Sequence, residues 1–405
     1  MKVLFVLGGF PEVSESFIIN QIAGLIAEGV DVKILAYDIG GHKEAYSGLY
    51  SSLNLSQKTF YIENNETLPK RIINFIQFFF KNFLKLKLRH FLNFKILYRF
   101  QNIVLEDSFD VIHSHYANIA AKFTEEFYGK PFFNNVKKVC TFHGYDAMPS
   151  KISSYKNEYK KLFNYFDLFT CNTPYLKGIV QEINNRIRLV ELPVGIDLDF
   201  LSENLKTKDK SIEVFTILFC GRLVKWKGIY QLIEIAEQLK LQNINNFRIE
   251  IIGDGEEFEN LKHLIEEKML NKNIFLLGRK SQKDVFSYMK KSHIFILPGL
   301  YDEKTGRAET QGLVVQEAQF FCLPVIVSDA GGTKYGMIDG KTGFVISEDN
   351  IKGYVEKIIF FMDNENQRIN FGLNGNRYVC ENYSNPVLTE KLIGIYTDIK
   401  LNKCF

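Results

Sequence analysis

The 405-residue chain has no CxxC pair. Its six cysteines, at positions 140, 171, 220, 322, 380 and 404, stand singly. That excludes a zinc ribbon and a disulfide framework, and it fits a reducing, cytoplasmic compartment. The chain also lacks any uninterrupted apolar stretch approaching the ~18 residues of a membrane-spanning helix, so none is expected to cross a bilayer. The N-terminal stretch MKVLFVLGGFPEVSESF has one lysine and a short apolar run followed by Gly-Gly-Phe-Pro, not by a small-residue cleavage site. Val3–Leu7 therefore reads as a buried first strand and not as a signal peptide. Net charge is missing too: 50 Lys+Arg against 47 Asp+Glu leave +3, too balanced for a dedicated nucleic-acid binder. With 46% hydrophobic and 24% charged residues, global disorder and low-complexity repeats are excluded as well.

What is present is an alternation of short apolar runs with helical patterns, the signature of parallel sheets covered by helices. The first half offers the strands KVLFVLG, VDVKILA, FDVIHSH, KKVCTFHG, DLFTCN and IRLVELPVG. Between them lie helical stretches such as SFIINQIAGLIAEG, where Ile18, Ile22 and Leu25 share a stripe and Gly29 supplies a stop. The series restarts with FTILFCG, FRIEIIG, NIFLLG, HIFILPG and LPVIVSD. Two α/β domains follow, Rossmann-like in pattern, joined in the polar stretch Ser202–Ser211. The expected divisions are 1–205, 206–385 and a closing helix in 386–405, with the ligand in the cleft between the two domains.

Chemistry concentrates in two segments of the second half. In GRAETQGLVVQEAQFFCLPVIVSD, Gly306, Thr310 and Gly312 disfavour helix while LVVQEAQFF favours it. A helix should begin near Leu313, with Glu317 about one turn inside and Glu309 in the preceding loop. A helix N-terminus between two carboxylates suits a diphosphate flanked by hydroxyls, as in a nucleotide sugar. On spacing alone, two solvated surface acids remain equally open. The second segment, GRLVKWKG, follows the strand FTILFC, where Arg222 and Lys227 could neutralise a diphosphate across the switch point.

Together the Glu-x7-Glu pattern, the GRLVKWKG loop, the IIGDGEEFENLK segment and the N-terminal GGFPEVSESFIINQIAGL resemble family 4 glycosyltransferases. The resemblance spans essentially the whole chain and is closest to bacterial enzymes of exopolysaccharide, capsule or lipopolysaccharide assembly. It implies the GT-B fold, a retaining hexosyl transfer from a nucleoside-diphosphate sugar, and no metal or other cofactor. By the same resemblance Arg222 and Lys227 hold the diphosphate, completed by the backbone amides of Leu313 and Val314. Glu309 meets the donor-sugar hydroxyls, Glu317 the ribose, Gly8 and Gly9 the donor phosphate, and His143 of HGYD the sugar. One departure stands out: where the family usually has Pro-Glu after Ala-Gly-Gly, this chain has Lys334 and Tyr335.

Weaker signals are read against metal and nicotinamide chemistry. His113 and His115 form an HxH with no carboxylates or cysteines clustered nearby, and Asp197 and Asp199 mimic a DxD motif in a place that favours a turn. Gly253-Asp254-Gly255 lacks the third glycine of a dinucleotide fingerprint, Phe258 standing there instead. The segment Leu68–Phe100 has eight Lys+Arg and no acid, interleaved with Phe, Leu and Ile. It suits an anionic membrane surface, and equally a core-packed helix with a solvated face. The expected place is cytoplasmic, peripheral on the inner face of the cell membrane, with a glycan or lipid-linked acceptor. A nucleotide-sugar epimerase or hydrolase of the same fold, and a non-catalytic glycan-assembly protein, are the alternatives.

Overall fold

The computed structural model describes residues 1–12, 15–41, 47–62, 68–106, 108–203 and 214–402. The first sheet comprises Lys2–Phe10 (β1), Asp31–Ile39 (β2), Thr59–Tyr61 (β3), Val111–His115 (β4), Lys137–Phe142 (β5), Leu168–Cys171 (β6) and Leu189–Glu191 (β7). The second comprises Phe215–Cys220 (β8), Phe247–Ile252 (β9), Ile274–Gly278 (β10), Ile294–Leu297 (β11), Val325–Ser328 (β12) and Gly343–Ile346 (β13). Every pairing is parallel, in the orders β3-β2-β1-β4-β5-β6-β7 and β10-β9-β8-β11-β12-β13. Helices on both faces explain why central strands are apolar along their length: Val3–Leu7 and Ile294–Leu297 are buried throughout. Each such side chain contributes roughly 1.5–3 kcal/mol by its burial.

In each sheet the winding reverses beside the first strand, between β1 and β4 and between β8 and β11. The carboxyl ends of strands at such a reversal leave a crevice. The two crevices face each other, and hydrogen bonds join their rims. Gln311 donates to the Val194 carbonyl and accepts from its N–H, both at 2.8 Å. Thr173 donates to the Thr310 carbonyl at 2.8 Å, and the Ser150 N–H donates to the Thr305 carbonyl at 3.1 Å. The sequence reading expected strands at eleven of these positions; β3 and β13, three and four residues long, are too short to show a period.

Helix Ser16–Ala27 ends ahead of Gly29, as its pattern implies. Helix Asn385–Lys400 begins at Pro386 and returns to the first domain. There Leu388, Leu392, Ile395, Tyr396 and Ile399 complete a core with Val3, Phe5, Ile18 and Ile22. The join expected at Ser202–Ser211 falls almost wholly in 204–213, outside the described residues.

Residues 68–104 are not one amphipathic helix but three, Leu68–Asn82, Leu88–Leu92 and Phe94–Val104, with a 3-10 turn at Phe83–Lys85. The breaks follow Asn82 and Asn93, whose side-chain amides donate back to the carbonyls of Phe78 and Arg89. Asparagine that bonds locally to backbone in this way competes with helix propagation. One stripe of the segment packs inward, with Phe75, Ile96, Leu97 and Phe100 buried. A second stripe does not: Phe80 is 73% exposed, Leu88 73%, Leu92 74% and Leu84 99%.

Candidate active site

The loop after β8 is braced before it reaches the cleft. Gly221 N–H donates to the Ile252 carbonyl, Leu223 N–H to the Asp254 carbonyl and Glu257 N–H to the Leu223 carbonyl, at 3.0–3.2 Å. The GDG segment thus packs against this loop and has no dinucleotide-binding arrangement of its own. Held in this way, the turn Lys225–Lys227 brings Lys227 Nζ into a tight ion pair with Glu309. Arg222 remains exposed at the rim. Burial, and then the neighbouring Arg222 guanidinium, push the Lys227 ammonium down to about 8. At that value it remains charged at neutral pH, beside the Glu309 carboxylate.

Helix Leu313–Phe320 starts where the pattern places it. Its N-cap is Gly312, at φ +75°, a left-handed conformation that favours glycine. No side chain at the cap accepts from the first N–H groups, including those of Leu313 and Val314, which carry the positive end of the helix dipole a few residues after Glu309. Glu317 lies one turn in, beside Cys220 at the end of β8, whose thiol is pushed up to about 12 by burial and then by that carboxylate. Burial raises Glu317 itself to about 7, against a hydrogen bond from Gln282.

From the first domain, His143 at the end of β5 enters the same cavity as Glu309, Thr310 and Trp226. Its turn is fixed by Asp146, whose carboxylate accepts from the N–H groups of His143 and Gly144 at 3.0 Å and from Ala117 N–H at 2.6 Å. Gly144, at φ +103°, lets this turn touch the second domain, because a Cβ there would collide with Thr310. His143 Nε2 lies 2.9 Å from His115 Nδ1, and His115 Nε2 lies 2.9 Å from Gln21 Oε1. A carbonyl oxygen only accepts, so His115 carries its proton on Nε2 and receives at Nδ1. His143 therefore carries its own on Nε2 and presents Nδ1 as a lone pair. Burial holds His143 down to about 3 and His115 well below its usual range, so both rings are neutral.

Gly8 and Gly9 do not follow β1 as expected; they lie within it, Gly9 paired with Asp38. Parallel pairing continues through Phe10 because β2 extends as far as Ile39. The HxH of β4 is buried: His113 bonds Tyr396 OH at 2.6 Å and Thr141 Oγ1 at 2.7 Å. Asp197 caps the helix Leu198–Ser202 by accepting from Phe200 N–H at 3.0 Å. Among the described residues no three His, Cys, Asp or Glu side chains group as a metal site would. Lys334 donates to the Asp329 carbonyl at 2.8 Å and so stabilises its own loop.

Sequence reasoning missed the residues that tie these parts together. Gln21 and His115 orient His143, and Asn172 donates to Thr310 Oγ1 at 3.2 Å. Tyr175 OH accepts from Ala308 N–H at 3.1 Å. Arg307 lies over the Trp226 indole, 5.1 Å from its centroid. Only the strand-end positions of Asn172 and His115 marked them in advance.

The chain resembles known proteins in sequence and fold. A model of glycosyltransferase family 4 matches residues 14–200, and a model of glycosyl transferases group 1 matches 202–378. The chain is 24% identical to the WcaL protein of Salmonella typhimurium, provisionally named a colanic acid biosynthesis glycosyltransferase, over 89% of this chain and 90% of that one. It is 29% identical to the capsular polysaccharide biosynthesis glycosyltransferase CapM of Staphylococcus aureus, over 50% and 52% of the two chains. The crystal structure of Anabaena HepE in complex with UDP superposes with a TM-score of 0.72 at 14% identity, covering 98% of this chain and all of that one. Two facing parallel-sheet domains with matches end to end across both establish the GT-B fold, and the chain belongs to the family 4 glycosyltransferases.

Proposed function

We propose that this glycosyltransferase moves a hexosyl group from a nucleoside-diphosphate sugar to a hydroxyl of a glycan or lipid-linked glycan, with retention at the anomeric carbon, in bacterial surface polysaccharide assembly. The observation that carries the site assignment is the part-buried Lys227–Glu309 pair, set beside the N-terminus of Leu313–Phe320, with Glu309 lining a cavity shared with His143. On donor binding, Lys227 exchanges Glu309 for the diphosphate, joined by Arg222 and the amides of Leu313 and Val314. Glu309 then turns to the sugar hydroxyls. Glu317 receives the ribose hydroxyls, and His143 Nδ1 accepts from a donor-sugar hydroxyl. Gly8 and Gly9, extended and without side chains, leave room for the donor phosphate above β1.

The acceptor oxygen attacks the anomeric carbon on the face that the diphosphate leaves. The carbon–phosphate-oxygen bond breaks, the new glycosidic bond forms, and the acceptor proton passes to the departing diphosphate oxygen. Fixed cations and helix N–H groups stabilise the charge that grows there. No divalent ion is needed for that task, and transfer should survive EDTA. Activity abolished by chelation and restored by magnesium would contradict this.

The reaction takes place at the inner face of the cell membrane. The exposed stripe of residues 68–104 supports this location: Phe80, Leu84, Leu88 and Leu92 stand out among lysines on a segment without acids. No helix among the described residues is long and apolar enough to cross a membrane.

Thermal stabilisation by UDP, GDP, ADP and CMP selects the nucleotide, since a ligand that binds only the folded state raises its stability. The matching sugar donors are then offered with and without glycan acceptors, and the product anomer is read by NMR. Nucleotide release at an undiminished rate without acceptor would favour a hydrolase or epimerase. An inverted product would refute front-face transfer.

A further inference from the structure

Arg307 is the cation that the donor site leaves over. Lys227 is paired with Glu309, and Arg222 lies at the rim where the diphosphate enters, whereas Arg307 has no ion pair or hydrogen bond from its side chain among the described residues. Its Nε is fully buried and unpartnered. Two acids lie close by without ion-pairing with it: Asp302, held below its usual value by the Thr305 hydroxyl and in part by the Arg307 charge, accepts at Oδ1 from Lys304 N–H, Thr305 N–H and Thr305 Oγ1 at 2.7–3.1 Å, and Glu309 holds Lys227. A buried guanidinium N–H without a hydrogen-bond acceptor is costly, and such a group calls for an explanation in the site it faces.

The surroundings shape that site. The loop that carries Arg307 is closed on itself: Asp302 N–H donates to the Arg307 carbonyl and Gly306 N–H to the Asp302 carbonyl, both at 2.7 Å. The Trp226 indole lies against the guanidinium and Lys227 Nζ lies 4.9 Å from the same ring. The cavity that Trp226 and Arg307 line also takes in Tyr175, Tyr145, His143 and Glu309. Tyr175 OH already accepts from Ala308 N–H, so its own proton points to whatever enters. An aromatic wall for a sugar ring, a forked cation and a phenolic donor converge where the two domains meet.

We propose that Arg307, seated on Trp226, receives an anionic substituent, a carboxylate or phosphate, carried by one of the two sugars that react in this cleft. The planar guanidinium matches such a group with two parallel hydrogen bonds, which a neutral hydroxyl cannot reproduce. The substrate class is thereby narrowed to an acidic sugar, either the donor hexose or the acceptor residue. This inference rests on the donor-site reading given above.

Trp226 is the one tryptophan in the chain, so its fluorescence reports on this cavity directly. In the donor arm, UDP-glucuronate and UDP-glucose are titrated into the wild-type protein, Arg307→Gln and Arg307→Lys. In the acceptor arm, each protein is first saturated with UDP, which occupies the diphosphate clamp, and then titrated with methyl glucuronoside, glucose 1-phosphate and methyl glucoside. In one arm the wild type should favour the acidic probe over its neutral counterpart by roughly tenfold or more. Arg307→Gln should abolish the preference, Arg307→Lys should retain part of it, and UDP itself should bind all three proteins equally. The arm that responds identifies the donor or the acceptor as the acidic sugar. Equal affinity for acidic and neutral probes in both arms, or a preference that survives Arg307→Gln, would overturn the inference. So would a matching loss of UDP affinity in Arg307→Gln, which would make Arg307 a third diphosphate ligand. If the wild type bound neither UDP nor a UDP-sugar, the donor-site reading itself would fail and this inference with it.

Discussion

His143 and His115 meet edge to edge: their ring planes are 15° apart, their centroids 5.1 Å apart and the facing nitrogens 2.9 Å apart. The direction of that bond is imposed from outside the pair, by the Gln21 carbonyl. Histidine-selective 15N NMR of the ligand-free protein at pH 7 should show His143 neutral and protonated at Nε2. His115→Phe keeps a ring but removes the acceptor, so His143 should lose that tautomer preference and turnover should fall by about tenfold. Nucleotide affinity should be unaffected, because neither ring touches the diphosphate clamp. A charged His143 at pH 7, or an unchanged tautomer in His115→Phe, would contradict the chain from Gln21.

Lys227 and Glu309 are partners before substrate arrives and are assigned different partners afterwards. Lys227→Ala should weaken binding of the nucleoside diphosphate by roughly ten- to a hundredfold, the worth of one charge-assisted hydrogen bond. Glu309→Gln frees Lys227 from its competitor, so the nucleotide should bind it as tightly as wild type or more so, while turnover with the sugar donor collapses. Isothermal titration set beside turnover separates the two effects. Equal losses of nucleotide affinity in both variants would refute the exchange of partners.

The raised carboxyl of Glu317 and the lowered ammonium of Lys227 give nucleotide binding a narrow pH window. Ribose hydroxyls donate to the ionised carboxylate, so affinity should rise as pH increases through about 7. It should fall again above about 8, as Lys227 loses its proton. Stability of the ligand-free protein has its own sign. A carboxyl with its folded value above its unfolded one keeps an extra proton on the native state, so its contribution is full below about 4.5 and is lost as pH rises through about 7. Melting curves should show Glu317→Gln gaining on wild type from pH 5 to pH 8, and the same substitution should remove the acidic limb of the binding profile. Parallel curves for the two proteins would show that Glu317 titrates normally.

Much of this site was legible in order but not in contact. Helix Leu313–Phe320 could be placed because Gly312 interrupts a good helical pattern, and the basic loop because it follows a strand. The sequence pattern carried no sign that Lys227 and Glu309 are paired, since the two residues, 82 positions apart, are brought together only by the adjacency of β8 and β11. Nothing in the sequence pattern singled out Arg307, whose place over the Trp226 indole depends on the contact between two distant loops. The family resemblance implied a loop at Gly8 and Gly9, but the length of β2 carries β1 through them, with Gly9 paired to Asp38 beyond the last β4 pairing at Val6. The 68–104 segment showed its composition plainly and its two stripes not at all, because three helices at different angles blur a single period.

That second stripe makes liposome binding specific in kind. Phe80→Asp with Leu84→Asp should abolish co-sedimentation with anionic vesicles, since it removes apolar insertion and adds repulsion. Lys81→Glu with Lys85→Glu should weaken it in a manner that high salt imitates in the wild type, through screening. Both pairs lie outside the cleft, so turnover on a soluble acceptor should be unchanged. Equal binding to neutral and anionic vesicles, or to none, would mean that the stripe serves some other contact.

The helix Asn385–Lys400 has a consequence for how the protein is made. It follows the whole second sheet in chain order, yet Leu392, Tyr396 and Ile399 lie in the same core as Val3 and Phe5 of β1, and the Tyr396 hydroxyl bonds the buried His113. The first domain cannot finish its packing until this helix, which follows the second domain in the chain, has been made, so a polypeptide stopped before residue 385 leaves that core open. Full assembly of the first domain thus acts as a receipt that the second has already been translated, and truncation ahead of this helix should abolish transferase activity.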